Sequence, residues 1–313
     1  MAHQLPLPNI VRQRAESLGE QGRQWISDLG RLVESLESLW SLQIGKVLTG
    51  GSESLVVEVI QQDGSGAILK IGLPGPADLA VEARVYRLAN GRGYARLIEH
   101  NDLLNSLLLE KLGPPLASKK LSTDEQVAEL CSTLDKAWVP LDSASGLMAG
   151  AEKAEWLVAF ISQKWLELDQ PCSRKAIDRA LQFAEERVKA HCAENSVLVH
   201  GDAHALNALA VTDKDGTHYK FVDPDGLYAE RACDLAVPMR DWNQELLAGD
   251  TMKMAHDRCE LLSELTAVDA TSIWQWGFIE RVSTGLVLKE IGQVNESQAY
   301  LKVADITSQS TKF

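Results

Sequence analysis

The chain has 313 residues, of which 45% are hydrophobic and 24% are charged, and its formal net charge is −13. A chain of this length and composition can bury a sizeable core and form two domains. The excess of acidic side chains argues against nucleic acid or an anionic membrane surface as a partner, because both bind cationic patches, and it suits a cationic small substrate.

The five cysteines are widely spaced, and none of them forms a C-x-x-C pair. This spacing argues against a disulfide scaffold and against a zinc ribbon. The first residues lack the basic and then apolar pattern of a secretion signal, and no stretch approaches the ~18 apolar residues of a membrane span. We therefore predict a cytoplasmic protein with reduced thiols.

The N-terminal part of the chain predicts a helix followed by an antiparallel sheet. Apolar residues recur at three- and four-residue steps over residues 12–40, which is typical of an amphipathic helix. Residues 77–90 predict a second helix. Strands are predicted from runs of apolar residues between turns, at residues 42–48, 55–60, 67–71, 95–99 and 107–110.

The turn at residues 49–54, which contains Gly50, Gly51 and Ser52, is the first candidate for ligand binding. Glycine lets backbone N–H groups approach closely, so a turn of this kind can cover nucleotide phosphates. The chain has neither the G-x-x-x-x-G-K-[ST] motif of a P-loop nor a G-x-G-x-x-G motif. An ordinary tight turn therefore remains the alternative.

Lys70 lies between apolar residues on the third predicted strand. Burying an ammonium group is costly without a partner, so a lysine at this position is unusual. The two interpretations are a functional lysine and an edge-strand lysine whose charged end stays in water.

The sequence Gly-Pro-Pro at 113–115 interrupts the strand pattern, and we place a domain boundary after its glycine. The predicted domains are therefore 1–113 and 114–313. In the second domain the apolar residues have a helical period, and Ser122 three residues before Glu125 predicts a capping box. Helices are predicted at residues 122–136, 152–168, 174–192, 241–248, 251–265, 271–291 and 297–306.

The segment from residue 197 to residue 223 places oxygen-bearing side chains around a predicted hairpin. If the hairpin closes about Asp215, positions whose numbers sum to roughly 430 face each other. Asn207 and Asp223 then meet at its open end, and Asp202 lies in the loop that enters the hairpin. Hard cations such as Mg²⁺ take ligands of this type, with substrate phosphates and water completing the shell. The strands are predicted at residues 197–199, 209–211 and 218–222.

The pattern H-G-D-x-x-x-x-N at residues 200–207, followed by Asp223-Pro224, resembles the catalytic and metal loops of the kinase-like fold. It is most similar to the aminoglycoside phosphotransferase branch. Residues 50–56 and 234–243 also resemble the subgroup of streptomycin 6-kinases and hydroxyurea-resistance kinases. The resemblance implies an α+β, bilobal protein-kinase-like fold, with an N-terminal antiparallel sheet lobe that binds nucleotide and a mainly helical C-terminal lobe that carries one small hairpin.

The resemblance implies a role for each residue of the catalytic segment. Asp202 is expected to be the base that accepts the proton of the substrate hydroxyl or orients that hydroxyl. Asn207 and Asp223 are expected to hold Mg²⁺, which neutralises charge on the phosphates of ATP. His200 is expected to be structural and to hydrogen-bond to the backbone, and His204 to position Asp202 or the nucleotide.

The resemblance also assigns residues to the nucleotide. Lys70 is expected to hold the phosphates and to be braced by Glu82 of the next helix, although Glu58 and Glu99 are also available. Asp234 is expected to brace the catalytic loop. The other expected nucleotide-binding residues are Gly51 and Ser52 in the glycine-rich turn, and Glu110 and Leu112 near the domain boundary, where backbone groups would contact adenine.

The resemblance implies ATP-dependent phosphorylation of a hydroxyl on a guanidinium- or amine-bearing sugar such as streptomycin. A cationic substrate needs carboxylates and aromatic faces around it. Trp274 and Trp276 on a later helix are instead expected to pack in the core. The candidate substrate-binding residues are Asp225, Glu230, Asp241, Trp242 and Glu245.

Two other hypotheses remain open. The first is a metabolic kinase of the same fold that acts on a sugar, an amino alcohol or an amino acid. The second is a pseudokinase that serves as a binding module, although the presence of Lys70, Asp202, Asn207 and Asp223 together argues against it. A protein kinase is not expected, because the chain has no D-F-G and A-P-E motifs with an activation segment between them.

Overall fold

The computed structural model describes residues 5–51, 53–75, 79–214 and 216–313. The chain divides into two compact units, Met1–Gly113 and Pro114–Phe313. The division falls within the Gly-Pro-Pro sequence that interrupts the strand pattern. The nucleotide-binding and substrate-binding roles given to the two domains stay predictions.

The N-terminal unit contains helices α1 (Asn9–Ser17), α2 (Glu20–Trp40) and α3 (Leu79–Ala89), and strands β1 (Gln43–Leu48), β2 (Ser54–Ile60), β3 (Gly66–Gly72), β4 (Leu97–Asn101) and β5 (Ser106–Glu110). These strands form the predicted antiparallel sheet, in which their order is β1-β2-β3-β5-β4. Lys70 lies on the central strand, where it pairs with Val56 and Leu107. The helix predicted at 77–90 corresponds to α3, but residues 76–78 lie outside the described ranges.

The single helix predicted over residues 12–40 is wrong, because the chain divides it into α1 and α2 at Gly19. Gly19 has a φ of 67°, in a region that residues with a Cβ rarely adopt. The two helices then lie close together, since a Cβ on Gly22 would be 1.7 Å from the carbonyl oxygen of Ala15. Apolar side chains of both helices join those of the sheet in one buried core.

The helices of the C-terminal unit are α4 (Thr123–Ala137), α5 (Gly150–Glu167), α6 (Arg174–Ala190), α7 (Ala232–Arg240), α8 (Asn243–Ala248), α9 (Thr251–Thr266), α10 (Ala270–Glu290) and α11 (Val294–Thr307). The unit is organised around α10, which is buried without a break from residue 273 to residue 283 and so lies inside the domain. Trp274 and Trp276 pack in this core, as predicted. The capping box of Ser122 and Glu125 at the start of α4 is confirmed. None of the helices in the described ranges combines the length and the hydropathy that crossing a membrane requires.

The same unit contains strands β6 (Val139–Pro140), β7 (Met148–Ala149), β8 (Val197–Val199), β9 (Ala208–Asp213), β10 (Gly216–Phe221) and β11 (Leu227–Ala229). β9 and β10 form the predicted hairpin, and a four-stranded sheet has the order β6-β8-β11-β7. The predicted mainly helical domain with its hairpin is confirmed, and the strand predicted at 197–199 is β8, but strands β6, β7 and β11 of this sheet were not predicted. Strands of two or three residues are too short to show a period, and their partners lie far away in the chain.

Helix α7 was also not predicted. Every residue from 232 to 239 is buried, so the helix has no polar face that would give it a helical period. It also contains Pro238, which normally argues against a helix interior. This helix matters for the site, because it carries Asp234 and ends at Arg240.

Candidate active site

The catalytic loop, residues 200–207, follows β8 and is fixed by one buried carboxylate. Asp234 of α7 accepts hydrogen bonds from the N–H groups of His200 at 3.0 Å and Gly201 at 2.8 Å, and from the indole of Trp138 at 3.0 Å. Burial raises the pKa of Asp234, and the three donors replace the water that the carboxylate has lost. The prediction that Asp234 braces the loop is confirmed.

His200 connects the loop to the end of the hairpin. Its Nε2 lies 2.9 Å from the carbonyl oxygen of Val222, and its Nδ1 accepts the N–H of Asp202 at 3.1 Å. The ring hydrogen is therefore on Nε2, and the structural role predicted for His200 is confirmed. Beside it, Gly201 has a φ of 89°, and a Cβ there would lie 2.9 Å from Cβ of Asp225. Only glycine fits this position.

Both carboxylate oxygens of Asp202 have a polar partner. Nη2 of Arg240 donates to Oδ1 at 2.7 Å, and Nε2 of His204 lies 3.3 Å from Oδ2. Burial alone would raise the pKa of Asp202, but the hydrogen bond from His204 and the charge of Arg240 outweigh it and hold the pKa well below its usual range. Asp202 is thus ionised at neutral pH. About a third of its side chain (32%) is exposed, so it can accept a hydrogen bond from a ligand hydroxyl.

His204 is held on the loop by this contact. Burial lowers the pKa of His204, but the hydrogen bond to Asp202 and the Asp202 charge more than reverse that effect, so the pKa lies above its ordinary value. Its Nδ1 is buried and has no hydrogen-bond partner among the described residues. Of the two roles predicted for His204, the structure supports contact with Asp202.

Asn207 and Asp223, the predicted metal ligands, lie at the open end of the hairpin. The ladder of β9 and β10 continues through a hydrogen bond from the N–H of Val222 to the carbonyl oxygen of Asn207 at 2.9 Å. Asn207 is therefore opposite Val222, one residue away from the predicted register. Asp215, about which the hairpin was expected to close, lies outside the described residues.

These two side chains suit a hard cation. The amide nitrogen of Asn207 donates to the carbonyl oxygen of Asp202 at 3.1 Å, which leaves the amide oxygen as the ligand atom. Asp223 is exposed and has a φ of 56°. Within the described residues there is no metal-binding group of three or more His, Cys, Asp or Glu. An amide oxygen and a carboxylate fit Mg²⁺ when phosphate oxygens and water complete the shell.

In the N-terminal unit, Lys70 and Glu82 form an ion pair. Nζ of Lys70 lies 2.5 Å from Oε2 of Glu82, and the two side chains are only 11% and 8% exposed. Tyr86, one turn further along α3, donates its hydroxyl to the other carboxylate oxygen at 3.0 Å. The predicted pairing of Lys70 with Glu82 is confirmed, and Glu58 is instead paired with Lys111 at 3.2 Å. The role of Lys70 toward the nucleotide stays a prediction.

The other residues predicted to contact the nucleotide lie in the glycine-rich turn and near the domain boundary. A Cβ on Gly51 would lie 3.5 Å from Oγ of Ser54, which is an ordinary contact, so the protein itself does not require glycine there. Ser52 lies outside the described residues. The side chain of Glu110 accepts the N–H of Arg96 at 2.8 Å, and the N–H of Glu110 donates to the carbonyl oxygen of Arg96 at 2.9 Å. Contact of backbone groups near Glu110 with adenine stays a prediction. Leu112 is partly buried just beyond β5.

Two cations that the sequence analysis left without a role, Arg240 and Lys153, belong to the same group of charges as Asp202. Nη1 of Arg240 lies 3.3 Å from Oε2 of Glu280, and Nζ of Lys153 lies 2.8 Å from Oε1 of Glu280. The segment M-R-D-W-N around Arg240 was the available sequence signal, but an ion pair with Asp202 depends on how α7 packs beside the loop. Lys153 has no comparable signal.

Two of the five candidate substrate residues lie in this group of charges. Desolvation of its carboxylate, together with the charge of Asp202, raises the pKa of Asp225. Asp241 accepts the hydroxyl of Tyr300 at 3.2 Å and lies 3.4 Å from Nε of Arg240. The structure thus places two further carboxylates near Asp202.

The other three candidates have different neighbours. Glu230 accepts the indole N–H of Trp276 at 2.8 Å, and Glu245 accepts a hydrogen bond at the start of α4. The ring of Trp242 lies 5.4 Å from the guanidinium carbon of Arg258. No hydrogen bond or ion pair joins these three residues to Asp202 within the described parts of the chain.

Comparison with known proteins gives a consistent result. Residues 39–292 match the model of a family described as aminoglycoside/hydroxyurea antibiotic resistance kinase. Streptomycin 6-kinase of Streptomyces glaucescens is 26% identical over 277 residues, which cover 88% of this chain and 87% of that protein. Hydroxyurea phosphotransferase of Kitasatospora aureofaciens is 26% identical over 304 residues, which cover 92% of this chain and 81% of that protein.

Solved structures share the fold at low sequence identity. A macrolide 2′-phosphotransferase from Brachybacterium faecium superposes with a TM-score of 0.56 at 13% identity, covering 92% of this chain and 99% of that one. An aminoglycoside phosphotransferase from Alicyclobacillus acidocaldarius has a TM-score of 0.53 at 15% identity, with coverages of 85% and 90%. An ethanolamine kinase from Plasmodium vivax has a TM-score of 0.57 at 12% identity, with coverages of 98% and 95%. The predicted kinase-like α+β fold is confirmed.

Proposed function

We propose that this chain, which belongs to the family of aminoglycoside/hydroxyurea antibiotic resistance kinases, transfers the γ-phosphoryl group of ATP to a hydroxyl of a cationic, streptomycin-like aminoglycoside. The family predicted from the sequence motifs is the one whose model spans residues 39–292. Membership makes the chain a phosphotransferase with a hydroxyl acceptor, and a kinase family implies ATP as the donor.

The observation that carries the proposal is the setting of Asp202. Its carboxylate is ionised and partly exposed, and Arg240 and His204 each bind one of its oxygens. A carboxylate in this state can accept the hydrogen of an acceptor hydroxyl and turn the hydroxyl oxygen toward the γ-phosphorus for in-line attack. Because phosphoryl transfer passes through a loose transition state, orientation of the nucleophile contributes more than strong basicity.

The remaining residues of the motif would serve the nucleotide. Asn207 and Asp223 would hold Mg²⁺, which when bound neutralises charge on the phosphates. Lys70, kept in place by Glu82, would bind a phosphate through its ammonium group. Gly51 would let backbone N–H groups approach the phosphates.

Both the net charge of the whole chain and the carboxylates near Asp202 support a cationic acceptor. The chain has a formal net charge of −13, which attracts cations and repels nucleic acid and anionic membrane surfaces. Asp225 and Asp241 add two carboxylates to the surroundings of Asp202. Streptomycin is the first candidate, because two relatives that are 26% identical carry the name streptomycin 6-kinase.

A second candidate is a kinase for a smaller metabolite, such as an amino alcohol, a sugar or an amino acid. The observation that favours it is the state of Glu230 and Glu245, which are hydrogen-bonded to Trp276 and to the start of α4. Fewer carboxylates then remain for a substrate with several positive charges. An acceptor with one ammonium group would need only one or two of them.

The proposal is tested by measuring ADP release from Mg-ATP in the presence of single acceptors. The panel contains streptomycin, dihydrostreptomycin, other aminoglycosides, hydroxyurea, simple amino alcohols and sugars, with Asp202→Asn as the control variant. We expect release that depends on streptomycin and is about 10²-fold or more slower in the variant. Turnover only with an amino alcohol or a sugar would support the second candidate. ADP release at the same rate in the Asp202→Asn protein would contradict both.

A further inference from the structure

We infer that Arg240 is the positioning residue for Asp202, and that it occupies Oδ1 so that the acceptor hydroxyl is received at Oδ2. The inference rests on the proposed function, in which Asp202 accepts the hydrogen of that hydroxyl. Its first support is the contact itself: Nη2 of Arg240 donates to Oδ1 at 2.7 Å, while the partner of Oδ2, Nε2 of His204, lies 3.3 Å away. The looser side of the carboxylate is the one that a hydroxyl can enter.

The guanidinium group of Arg240 is engaged on each of its three nitrogens. Nη2 contacts Asp202, Nη1 lies 3.3 Å from Glu280, and Nε lies 3.4 Å from Asp241. A planar guanidinium can serve several carboxylates in fixed directions, which the single ammonium group of a lysine cannot do. Arg240 is therefore placed to fix the rotation of the Asp202 carboxylate as well as its charge.

The backbone that carries Arg240 is held from two sides. Asn243 donates its side-chain amide to the carbonyl oxygen of Arg240 at 2.7 Å. The buried Arg281 of α10 hydrogen-bonds to the carbonyl oxygen of Met239 and to the side chain of Asn243. Arg258 of α9 donates to the carbonyl oxygen of Asp241 at 2.7 Å. Groups on α9 and α10 thus fix the end of α7 before any ligand binds.

A chain of alternating charges extends this support into the core. Lys153 of α5 lies 2.8 Å from Glu280, Glu280 lies 3.3 Å from Arg240, and Arg240 is bonded to Asp202. The side chains of Lys153, Arg240 and Glu280 are 13% or less exposed. A buried charge is retained only when it has partners, so removing Arg240 would change the setting of both Glu280 and Asp202.

A positioning role of Arg240 differs from a merely structural role in its effect on kcat. If Arg240 acts through Asp202, its removal lowers kcat while the KM for ATP stays nearly constant. Removing it from a protein that already lacks the Asp202 carboxylate then has no further effect on kcat. If Arg240 only supports the fold, the two losses multiply.

The experiment is a double-mutant cycle of Arg240→Ala, Asp202→Asn and the double variant, with Arg174→Ala as a matched control. Arg174 forms an exposed ion pair with Asp178 on α6, and its removal is expected to leave turnover unchanged. We expect Arg240→Ala to lose about 10²-fold in kcat and to recover activity with millimolar guanidinium, which fills the space of the lost group. Asp202→Asn should not recover. The inference would be overturned if the fold-losses in kcat of the two single variants multiply in the double variant, or if guanidinium does not restore the activity of Arg240→Ala.

The same variants separate this inference from the proposed function. If the wild type phosphorylates no acceptor in the panel, the proposed function fails, and thermal unfolding of the four proteins then tests the pairing without an acceptor. The inference predicts that the Tm shift of the double variant differs from the sum of the single shifts. Additive shifts would overturn the inference even where the enzyme is active.

Discussion

At the scale of single residues, the site depends on how the neighbours of Asp202 set its charge and its orientation. Burial disfavours the ionised form, but Arg240 and His204 reverse this effect and hold the pKa of Asp202 well below its usual range. The carboxylate therefore stays charged through the physiological pH range. A weak base of this kind suits a reaction in which the hydroxyl must be oriented and its proton leaves late.

The first prediction concerns Asp202 itself. Asp202→Ala should lower kcat by about 10²-fold or more, because the acceptor hydroxyl loses the group that orients it and takes its proton. Binding of Mg-ATP should change little, since the expected nucleotide ligands are other residues. Steady-state kinetics and nucleotide titration check both parts, with Asp178→Ala on the exposed face of α6 as the control. Near-full turnover in the Asp202 variant would show that the catalytic loop has been misassigned.

The second prediction distinguishes a phosphate-binding turn from an ordinary tight turn. A Cβ at residue 51 would meet Oγ of Ser54 at 3.5 Å, and the carbonyl oxygen of Ser54 and Cγ2 of Val56 at 3.6 Å. These are ordinary contacts, so Gly51→Ala should not lower the Tm. If backbone groups of this turn approach phosphates, the added methyl group should raise the KM for ATP by roughly 10-fold. Kinetics and thermal unfolding of the same preparation check the two effects. An unchanged KM would favour the ordinary turn.

Some site residues could be predicted from the sequence and others could not, for a geometric reason. Asp202, Asn207 and Asp223 belong to one loop and one hairpin, so their relative positions follow from local spacing. Arg240 reaches Asp202 only because α7 packs beside the loop, and its ion pair spans 38 positions. Lys153 comes from yet another helix, and its sequence surroundings carry no sign of Glu280.

At the scale of elements, the loop, the hairpin and α7 form one support for the site. His200 ties the loop to Val222 at the end of the hairpin, and Asp234 ties the loop to α7. Gly201 allows the sharp turn between these contacts, with its φ of 89°. The two residues that precede Asp202 are therefore fixed by hydrogen bonds to the hairpin and to α7.

The third prediction concerns Asp234. Asp234→Ala would leave three buried donors without an acceptor, namely the N–H groups of His200 and Gly201 and the indole of Trp138. We expect the free energy of unfolding to fall by about 3 kcal/mol or more, because each unsatisfied buried group costs about 1–3 kcal/mol. Trp138→Phe, which removes one donor and keeps the carboxylate, should cost distinctly less. Equal losses in the two variants, measured by urea unfolding, would contradict a bracing role.

Helices and strands were predicted correctly where they were long enough to show a sequence pattern. α4, α6 and α9 have a helical period, and the strands of the N-terminal sheet are apolar runs between turns. These elements lie within a few residues of the predicted positions. β6, β7 and β11 are two or three residues long, so pairing with distant strands decides their structure. The break between α1 and α2 was signalled by Gly19, but periodicity on both sides concealed it.

At the scale of the whole molecule, two compact units each carry part of the predicted machinery. The N-terminal unit holds Lys70 and Glu82, and the C-terminal unit holds Asp202, Asn207 and Asp223. Each unit has its own buried apolar residues, which is expected of domains that fold around separate cores. The boundary was predictable because Gly-Pro-Pro disrupts both strand and helix.

The fourth prediction uses the stability of the whole protein to detect the metal. Mg-ATP should raise the Tm of the wild type more than ATP with a chelator does, because a ligand that binds only the folded state stabilises it. Asp223→Ala should remove the part of the shift that depends on Mg²⁺ and keep the rest. Thermal unfolding with and without chelator checks this. If the variant keeps the full Mg²⁺-dependent shift, Asp223 is not a metal ligand.

The most direct test of the central claim is to identify the phosphorylated product. The acceptor that stimulates ADP release is incubated with the enzyme and Mg-ATP, and the product is analysed by mass spectrometry and by ³¹P NMR. We predict a mass increase of one phosphoryl group and a phosphate ester on a hydroxyl carbon, both absent with Asp202→Asn. An unmodified acceptor with continued ADP release, or a phosphate bound to nitrogen, would contradict the account of this protein as a hydroxyl kinase.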